Sequence, residues 1–342
     1  RTNRPVITKP PVRTHEGGVA KRVPVEKELV RTVATCLLWE NTFYESGNDI
    51  AARIADLCKT ADPTVIGSLA RSARTDLHLR HVPLFLALQL VERRLADTHL
   101  VANVIRDVVQ RPDEMAELLS LYWKNGKRPL ATQLKRGLAA AFKKFSPYQL
   151  SKWDRESKIT LRDVMFLVHP APNPTMNVQG VQAETWKKLA NKELESADTW
   201  EVALSRGENK RDNWERLLTE KKLGYMALLM NLRNMAQAGV DTRLVGDALL
   251  SGAATSKALP FRFVSAAKHA PQWTQELSEA MELSAQAKID GELVGKTVVL
   301  IDVSGSMDND LSSKGTMTRL DAAGALAVLA RGMSQNCEVY TF

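Results

Sequence analysis

A short loop near the end of the chain combines residue types that could hold a metal ion. Asp302, Ser304 and Ser306 alternate as Asp-x-Ser-x-Ser directly after the β-branched run at 297–301. Such a run predicts a strand buried on both faces of a parallel sheet, and ligands bind outside the carboxyl ends of these strands. One carboxylate and two hydroxyls are hard oxygen donors that suit Mg²⁺ or Mn²⁺. We therefore predict that these three residues are metal ligands.

A second group of residues could bind a polyanion. Residues 121–162 hold eleven Lys and Arg but only two acids, so this window carries more charge than the +8 of the whole chain. Cations neutralise phosphates, and the interleaved aromatic rings could stack on unpaired bases. The alternative is a solvated helix face whose aromatic rings lie in the core. The predicted RNA contacts of the window are Lys127, Arg128, Lys135, Arg136, Lys143, Lys144, Lys152, Arg155 and Arg162. The aromatic residues are Tyr122, Trp123, Phe142, Phe145, Tyr148 and Trp153.

Helices must position the basic window. From 26 to 290 the pattern is helical almost throughout, with short elements separated by breakers. Asp62-Pro63 and Ser146-Pro147 each read as an N-cap followed by proline at the first helical position. Between 130 and 145, apolar residues share one arc that includes Phe142 and Phe145, while basic residues occupy the opposite arc. We also predict that a methionine-rich helix buries Met226, Met230 and Met235. Many short helices indicate a solenoid or a bundle.

The pattern changes at Lys296. A strand at 297–301, a helix at about 319–333 and a strand at 337–342 predict the opening of an α/β Rossmann-like domain. We thus divide the chain into a basic flexible arm at 1–25, a helical-repeat domain at 26–290 and the start of an α/β domain at 296–342. Two strands and one helix cannot cover both faces of a sheet. We therefore expect the chain to be a fragment that lacks most of this domain. Because the first residue is Arg1, we also expect the native N-terminus to lie outside this sequence.

Composition narrows the class of protein. The chain has 342 residues, which suggests about two domains, and 44% apolar and 25% charged residues exclude fibrous and wholly disordered chains. Cys36, Cys58 and Cys337 form no Cys-x-x-Cys pair, which fits a reducing cytoplasm. No apolar run reaches the ~20 residues that span a bilayer, and no signal peptide is visible. We expect a cytoplasmic protein without a membrane partner.

Two resemblances follow from these motifs. The segment 299–307 is similar to the first strand and metal-ion-dependent adhesion site of a von Willebrand factor A domain. That family also uses a Thr and an Asp from later loops, which would lie beyond Phe342. The resemblance therefore implies an incomplete site with weak or absent cation binding in this chain.

Over about 29–342 the chain resembles the TROVE-module proteins, the family of the Ro autoantigen and its bacterial relatives. The resemblance rests on Phe43-Tyr44-Glu45, on the helix at 223–240 and on Pro260-Phe261. It implies HEAT-like repeats arranged as a ring closed by an A domain, with Y RNAs on a basic outer surface and single-stranded 3′ ends in a central hole. Lys152, Arg155 and Arg162 precede His169-Pro170 at the family's spacing, which adds His169 to the predicted RNA contacts.

These observations predict a non-catalytic RNA-binding protein that scaffolds or surveys small or misfolded non-coding RNA. A protein partner at the A domain, such as a 3′ exoribonuclease, belongs to this hypothesis. The alternative is a protein-interaction adaptor, in which the helical solenoid and a metal-dependent A-domain site bind proteins. An enzyme is disfavoured, because no nucleophile constellation, general acid–base pair or phosphate-cradling glycine loop is present.

Overall fold

The computed structural model describes residues 12–13, 17–20, 23–35, 46–95, 99–172, 180–197, 199–205, 209–287, 293–311 and 317–342. The Phe43-Tyr44-Glu45 motif and most of the predicted basic arm lie outside these residues. The described residues form two compact units, Arg1–Glu195 and Ser196–Phe342. No helix among them is long and apolar enough to cross a membrane.

The first unit is helical apart from one short strand pair. Val12–Arg13 (β1) pairs antiparallel with Val19–Ala20 (β2), in the segment predicted to be irregular. Ten described helices follow. They are α1 (Val25–Thr35), α2 (Gly47–Thr60), α3 (Pro63–Thr75), α4 (His81–Glu92), α5 (Leu100–Val108), α6 (Asp113–Tyr122), α7 (Thr132–Phe142), α8 (Pro147–Trp153), α9 (Leu161–Val168) and α10 (Val181–Asn191).

The helices of this unit stack as two rows. Odd-numbered helices pack in succession from α1 through α3, α5 and α7 to α9, and α2, α4 and α6 form a parallel succession. Helix α4 packs against α2, α3, α5 and α6, and nine of its twelve residues are buried. A helix that is apolar on all sides belongs in a protein core. The packing of near neighbours is that of a helical-repeat solenoid, as the sequence predicts.

Local sequence signals explain where several of these helices begin. Asp62 accepts a hydrogen bond from the Thr64 N–H at 2.7 Å, and Pro63 opens α3. Ser146 and Gln149 cap α8 reciprocally, and Pro147 is its first residue. Both predicted N-caps are confirmed, because their side chains accept from backbone donors that have no partner within the helix.

The second unit begins with six further described helices. They are α11 (Trp200–Ser205), α12 (Lys210–Thr219), α13 (Tyr225–Gln237), α14 (Thr242–Ala253), α15 (Pro260–His269) and α16 (Thr274–Gln286). Met235 of α13 is buried as predicted. The prediction was wrong for Met226 and Met230, which are 36% and 72% exposed, because α13 turns that face to solvent.

A parallel β-α-β unit completes the second unit. Leu293–Ile301 (β3) pairs with Ser334–Thr341 (β4), and α17 (Arg319–Gly332) connects them. The predicted order of strand, helix and strand is confirmed. The predicted burial of β3 on both faces is wrong, since Val298 and Leu300 are 51% and 65% exposed. In the described part, β3 has one neighbouring strand, so much of its surface is uncovered. Overall, the fold class is mainly α.

Candidate nucleic-acid interface

The loop after α6 presents the first two predicted contacts. Tyr122 Oη donates to the Pro129 carbonyl and Trp123 Nε1 donates to the Arg128 carbonyl, each at 2.8 Å. Lys127 is exposed, with its ammonium 5.8 Å from the Trp123 ring. Arg128 lies 3.9 Å over the Tyr122 ring and pairs with Glu92, whose hydrogen bond raises the pKa of Arg128. Lys127 is therefore the more available cation.

Helix α7 carries the next cations on a rigid support. Leu134, Leu138 and Phe142 are fully buried, which confirms the predicted apolar arc. On the other side Arg136 is exposed and Lys135 is half-buried. Lys143, just after the helix, is also half-buried. Because α7 packs closely on α5, the backbone positions of these cations are fixed by the core.

Lys144 is used by the protein itself. Its ammonium donates hydrogen bonds to the Arg106 and Val109 carbonyls at the end of α5. Cations at this position satisfy the last carbonyls of a helix and oppose the negative end of its dipole. Burial lowers the pKa of the Lys144 ammonium to about 8. This predicted RNA contact thus has a structural task that the sequence did not reveal.

Three cations lie near the ring of Trp153, the last residue of α8. The Arg111 guanidinium lies 3.7 Å from its ring centroid, Arg155 lies at 5.1 Å and the Lys152 ammonium lies at 5.8 Å. Arg111 is fixed by a fork of hydrogen bonds to Asp113 at 3.0 and 2.5 Å. Arg155 is exposed and Lys152 is half-buried. Arg111 precedes the basic window, so a search for local charge missed it.

The remaining predicted contacts flank α9. Arg162 donates from Nε to the Ala190 carbonyl at 2.6 Å and lies 4.9 Å over the Phe166 ring. His169 is exposed and ends α9 in the left-handed conformation, with a φ of 49°. Its backbone N–H donates to the Met165 carbonyl at 2.9 Å. His169 is thus an exposed helix-terminal residue, and its contact with RNA stays a prediction.

Most aromatic rings of the window belong to the core rather than to a stacking surface. Phe142 and Phe145 are buried, as the apolar arc predicts, and Tyr122 is 7% exposed. Trp123 and Trp153 are half-buried, while Tyr148 is 52% exposed. The interleaving of aromatic and basic residues in the sequence therefore overstates the number of rings that a base could reach.

A cleft of about 570 Å³ opens beside Trp153, between α6 and the segment 155–161. Three acids line it. Asp113 and Glu117 both pair with Arg80, burial raises the pKa of Glu117, and Glu156 is exposed. Sequence reasoning missed this cleft, because it depends on the packing of α4, α6 and α8 around a loop. The lining consists of His81, Asp113, Ala116, Glu117, Ser120, Leu121, Lys124, Trp153, Arg155, Glu156, Ser157, Lys158, Ile159 and Leu161.

The predicted metal loop follows β3 in the second unit. Asp302 accepts a hydrogen bond from the Ser304 N–H at 2.8 Å, and the Ser304 and Ser306 hydroxyl oxygens are 3.1 Å apart. The bonds from the Ser304 backbone and hydroxyl hold the pKa of Asp302 below its usual range. The three side chains thus supply clustered oxygen donors, which fit a hard divalent cation whose remaining ligands are waters. Within the described residues, no three His, Cys, Asp or Glu side chains form a metal-binding group.

Comparison with known proteins shows that part of the chain is similar to a known domain family. The family model described as the TROVE domain matches residues 188–308. Residues 188–308 are therefore similar in sequence to the TROVE domain. A solved structure, titled as the crystal structure of the Deinococcus radiodurans RO (RSR) protein, matches with a TM-score of 0.61 and 15% sequence identity. This match covers 93% of this chain and 75% of that chain, and it shows that the two share a fold. The curated proteins include no match.

The TROVE match divides the two groups of predicted site residues. Asp302, Ser304 and Ser306 lie inside the matched segment, whereas the predicted RNA contacts, from Lys127 to His169, precede residue 188. The match also spans the helices α11 to α16. The family model thus bears on the second unit of the chain, and the basic surface of the first unit rests on its own geometry.

Proposed function

We propose that this TROVE-domain protein binds RNA through the basic surface of its first unit. This surface is defined as the exposed cations Lys127, Arg136, Arg155 and Lys158 with the half-buried Lys135, Lys143, Lys152 and Arg162. The observation that carries the proposal is their lack of acidic partners. None of them forms an ion pair within the described part of the chain, whereas Arg71, Arg74, Arg80 and Arg211 each pair with a carboxylate.

Unpaired cations of one sign favour a polyanionic ligand. Mixed charges suffice for solubility, whereas a localised field of several cations concentrates phosphates and accelerates their association. Backbone phosphates supply most of the affinity for RNA and make it depend on salt. A-form RNA hides base edges in a deep groove, so recognition depends on helix shape and on unpaired segments. The proposed surface suits this kind of ligand.

The class of RNA comes from the resemblance to Ro-type proteins. By that resemblance, the ligands are small non-coding RNAs of the Y type on the outer basic surface and single-stranded 3′ ends of misfolded RNAs in a central hole. The protein then acts as a non-catalytic ribonucleoprotein scaffold in RNA quality control. We propose that it works in the cytoplasm and cooperates there with a protein partner such as a 3′ exoribonuclease.

The metal loop belongs to the same proposal in a secondary role. Asp302, Ser304 and Ser306 would hold Mg²⁺ or Mn²⁺, and the cation would supply a charged centre for the carboxylate of a protein partner. The three protein oxygens alone leave several positions to water, so the affinity for the cation is expected to be low.

A binding titration at several salt concentrations tests the proposal. The ligands are a hairpin RNA with a single-stranded 3′ tail, the same hairpin without the tail, and an acidic polypeptide. We expect the wild type to bind the tailed hairpin more tightly than the hairpin without a tail. The slope of log affinity against log salt concentration should become shallower by about 0.7 to 0.9 for each phosphate contact that a variant removes. The double variant Lys127→Ala, Arg136→Ala tests the surface.

The control removes the same charge elsewhere. Arg211 and Arg216 lie on α12 and pair with Glu215 and Glu220. The variant Arg211→Ala, Arg216→Ala should keep the salt slope of the wild type. Equal binding of the acidic polypeptide and RNA would contradict the proposal and favour the protein-interaction adaptor.

A further inference from the structure

The cleft beside Trp153 has two chemically distinct parts. Its interior is apolar, since Ala116, Leu121, Ile159 and Leu161 line it together with the Trp153 ring. Three cations also line the cleft, Lys124, Arg155 and Lys158, and all three are exposed. A ligand that fills it must therefore combine an apolar body with negative charge. A volume of about 570 Å³ falls within the range of small-ligand sites and accommodates a purine or a pyrimidine with its sugar.

The acids of the cleft do not oppose such a ligand strongly. Arg80 pairs with Glu117 and with Asp113, the latter at 3.0 Å, and Arg111 also pairs with Asp113. Their charges are thus balanced inside the protein. Glu156 is the exposed acid of the lining, against three exposed cations.

Trp153 is held as a fixed wall. Arg111 lies 3.7 Å from its ring centroid, and Asp113 anchors that guanidinium through two hydrogen bonds. Rings that need no rearrangement make good binding surfaces, because less conformational entropy is lost when the ligand binds. The wall, the apolar interior and the exposed cations lie in the same unit as the basic surface.

We propose that this cleft accepts one unpaired nucleotide of the bound RNA. The base would occupy the apolar interior beside Trp153, and an adjacent phosphate would meet Arg155 and Lys158. Bases inside a duplex are stacked and cannot enter, so a bulge, a loop or an end must supply the nucleotide. The inference rests on the proposed function and adds a site and a ligand class to it.

The test compares two RNAs and three proteins. One hairpin carries a single bulged nucleotide, and the other has an abasic residue at the same position, so phosphate charge is unchanged. Ser120 is exposed on α6 and lines the cleft, so Ser120→Trp fills it without altering charge. Ala52→Trp, on an exposed position of α2, is the matched control. Stacked bases typically account for roughly a 5- to 100-fold difference in affinity.

We expect the wild type and Ala52→Trp to bind the abasic RNA roughly 5- to 100-fold more weakly than the bulged RNA. Ser120→Trp should bind the bulged RNA as weakly as the abasic one, with the salt slope unchanged. A bulged 4-thiouridine should crosslink to residues 153–161 in the wild type and lose this crosslink in Ser120→Trp.

Different outcomes separate the two proposals. Equal binding of both RNAs by the wild type, or a full abasic penalty in Ser120→Trp, would overturn the cleft proposal and leave RNA binding by the basic surface intact. If the wild type binds neither RNA, both the cleft proposal and the proposed RNA-binding function are overturned. If the wild type binds the two RNAs equally, an acidic, tryptophan-containing peptide should be tested next. Binding of this peptide to the wild type but not to Ser120→Trp would assign the cleft to a protein ligand.

Discussion

Gly137 determines how closely α7 approaches α5. A Cβ atom at this position would lie 2.7 Å from Ile105 Cβ, 2.9 Å from Ile105 Cγ2 and 2.9 Å from the Ala102 carbonyl oxygen. Favourable carbon contacts are about 3.5–4.0 Å, so all three distances are repulsive. One of the three atoms is a backbone carbonyl, which rotation of a side chain cannot relieve. Gly137→Ala must therefore push α7 and α5 apart.

The expected change follows from two opposing effects. Overpacking of a tight core contact costs about 1–3 kcal/mol. Replacing glycine by alanine within a helix contributes about 1 kcal/mol in the other direction. Because the clash involves backbone, we expect a net loss of about 1–2 kcal/mol in the free energy of unfolding. A Cβ atom added at Gly324 of α17 would meet no described atom within 4 Å, so Gly324→Ala should instead gain about 0.5–1 kcal/mol.

Hydrogen exchange followed by mass spectrometry suits this comparison, because the chain has two units and the method reports each peptide separately. In Gly137→Ala, amides of α5 and α7 should exchange roughly five to thirty times faster, as 1.4 kcal/mol corresponds to a factor of ten. Peptides of α17 should change only in Gly324→Ala. Unchanged or slower exchange of α5 and α7 in Gly137→Ala would refute the close packing of these helices.

Three further predictions concern side chains of the first unit. Glu114 is fully buried and accepts from Arg74 at 2.6 Å, so Glu114→Gln should cost about 3 kcal/mol in urea denaturation. The exposed pair of Glu92 with Arg128 is the control, and Glu92→Gln should cost less than about 1 kcal/mol. Lys144 should titrate near pH 8 by NMR of ¹³C-methylated lysines, and its signal should vanish in Lys144→Met. Because folding lowers the pKa of Lys144, the folded state releases this proton at a lower pH than the unfolded state does. The stability of the wild type relative to Lys144→Met should therefore rise as the pH increases from about 8 towards 10.5. Titration of Lys144 near pH 10.5 would contradict its burial. His169→Gly should raise the thermal midpoint by an amount equivalent to about 0.5–1 kcal/mol, because glycine adopts a positive φ without strain, while any loss of RNA affinity would be due to the imidazole.

Elements with strong local signals were predictable from the sequence. Capping residues and proline located the starts of α3 and α8, and the apolar arc located the buried face of α7. The change to β-branched residues at Lys296 located β3. These features depend on residues within a few positions of each other, so a linear pattern contains the necessary information.

Features that depend on distant partners were not predictable. Met226 and Met230 look like core residues, yet their exposed fractions are 36% and 72%. The cleft beside Trp153 joins residues from 81 to 161 and has no local signature. The clustering of the Ser304 and Ser306 hydroxyls, in contrast, follows from their spacing and the turn between them, so this part of the candidate metal site was foreseeable.

Lys143 and Lys144 show why the charge of a sequence window does not equal the charge of a binding surface. The two are neighbours, but Lys144 donates to the carbonyls at the end of α5, whereas Lys143 forms no ion pair within the described residues. Arg128 likewise pairs with Glu92, some 36 residues away in sequence. Each cation's availability is set by the acceptor that the fold brings opposite to it. Variants that test RNA binding should therefore be chosen by these partners. Lys127, Arg136 and Arg155 are the informative positions, whereas variants of Arg128 and Lys144 also remove contacts within the protein.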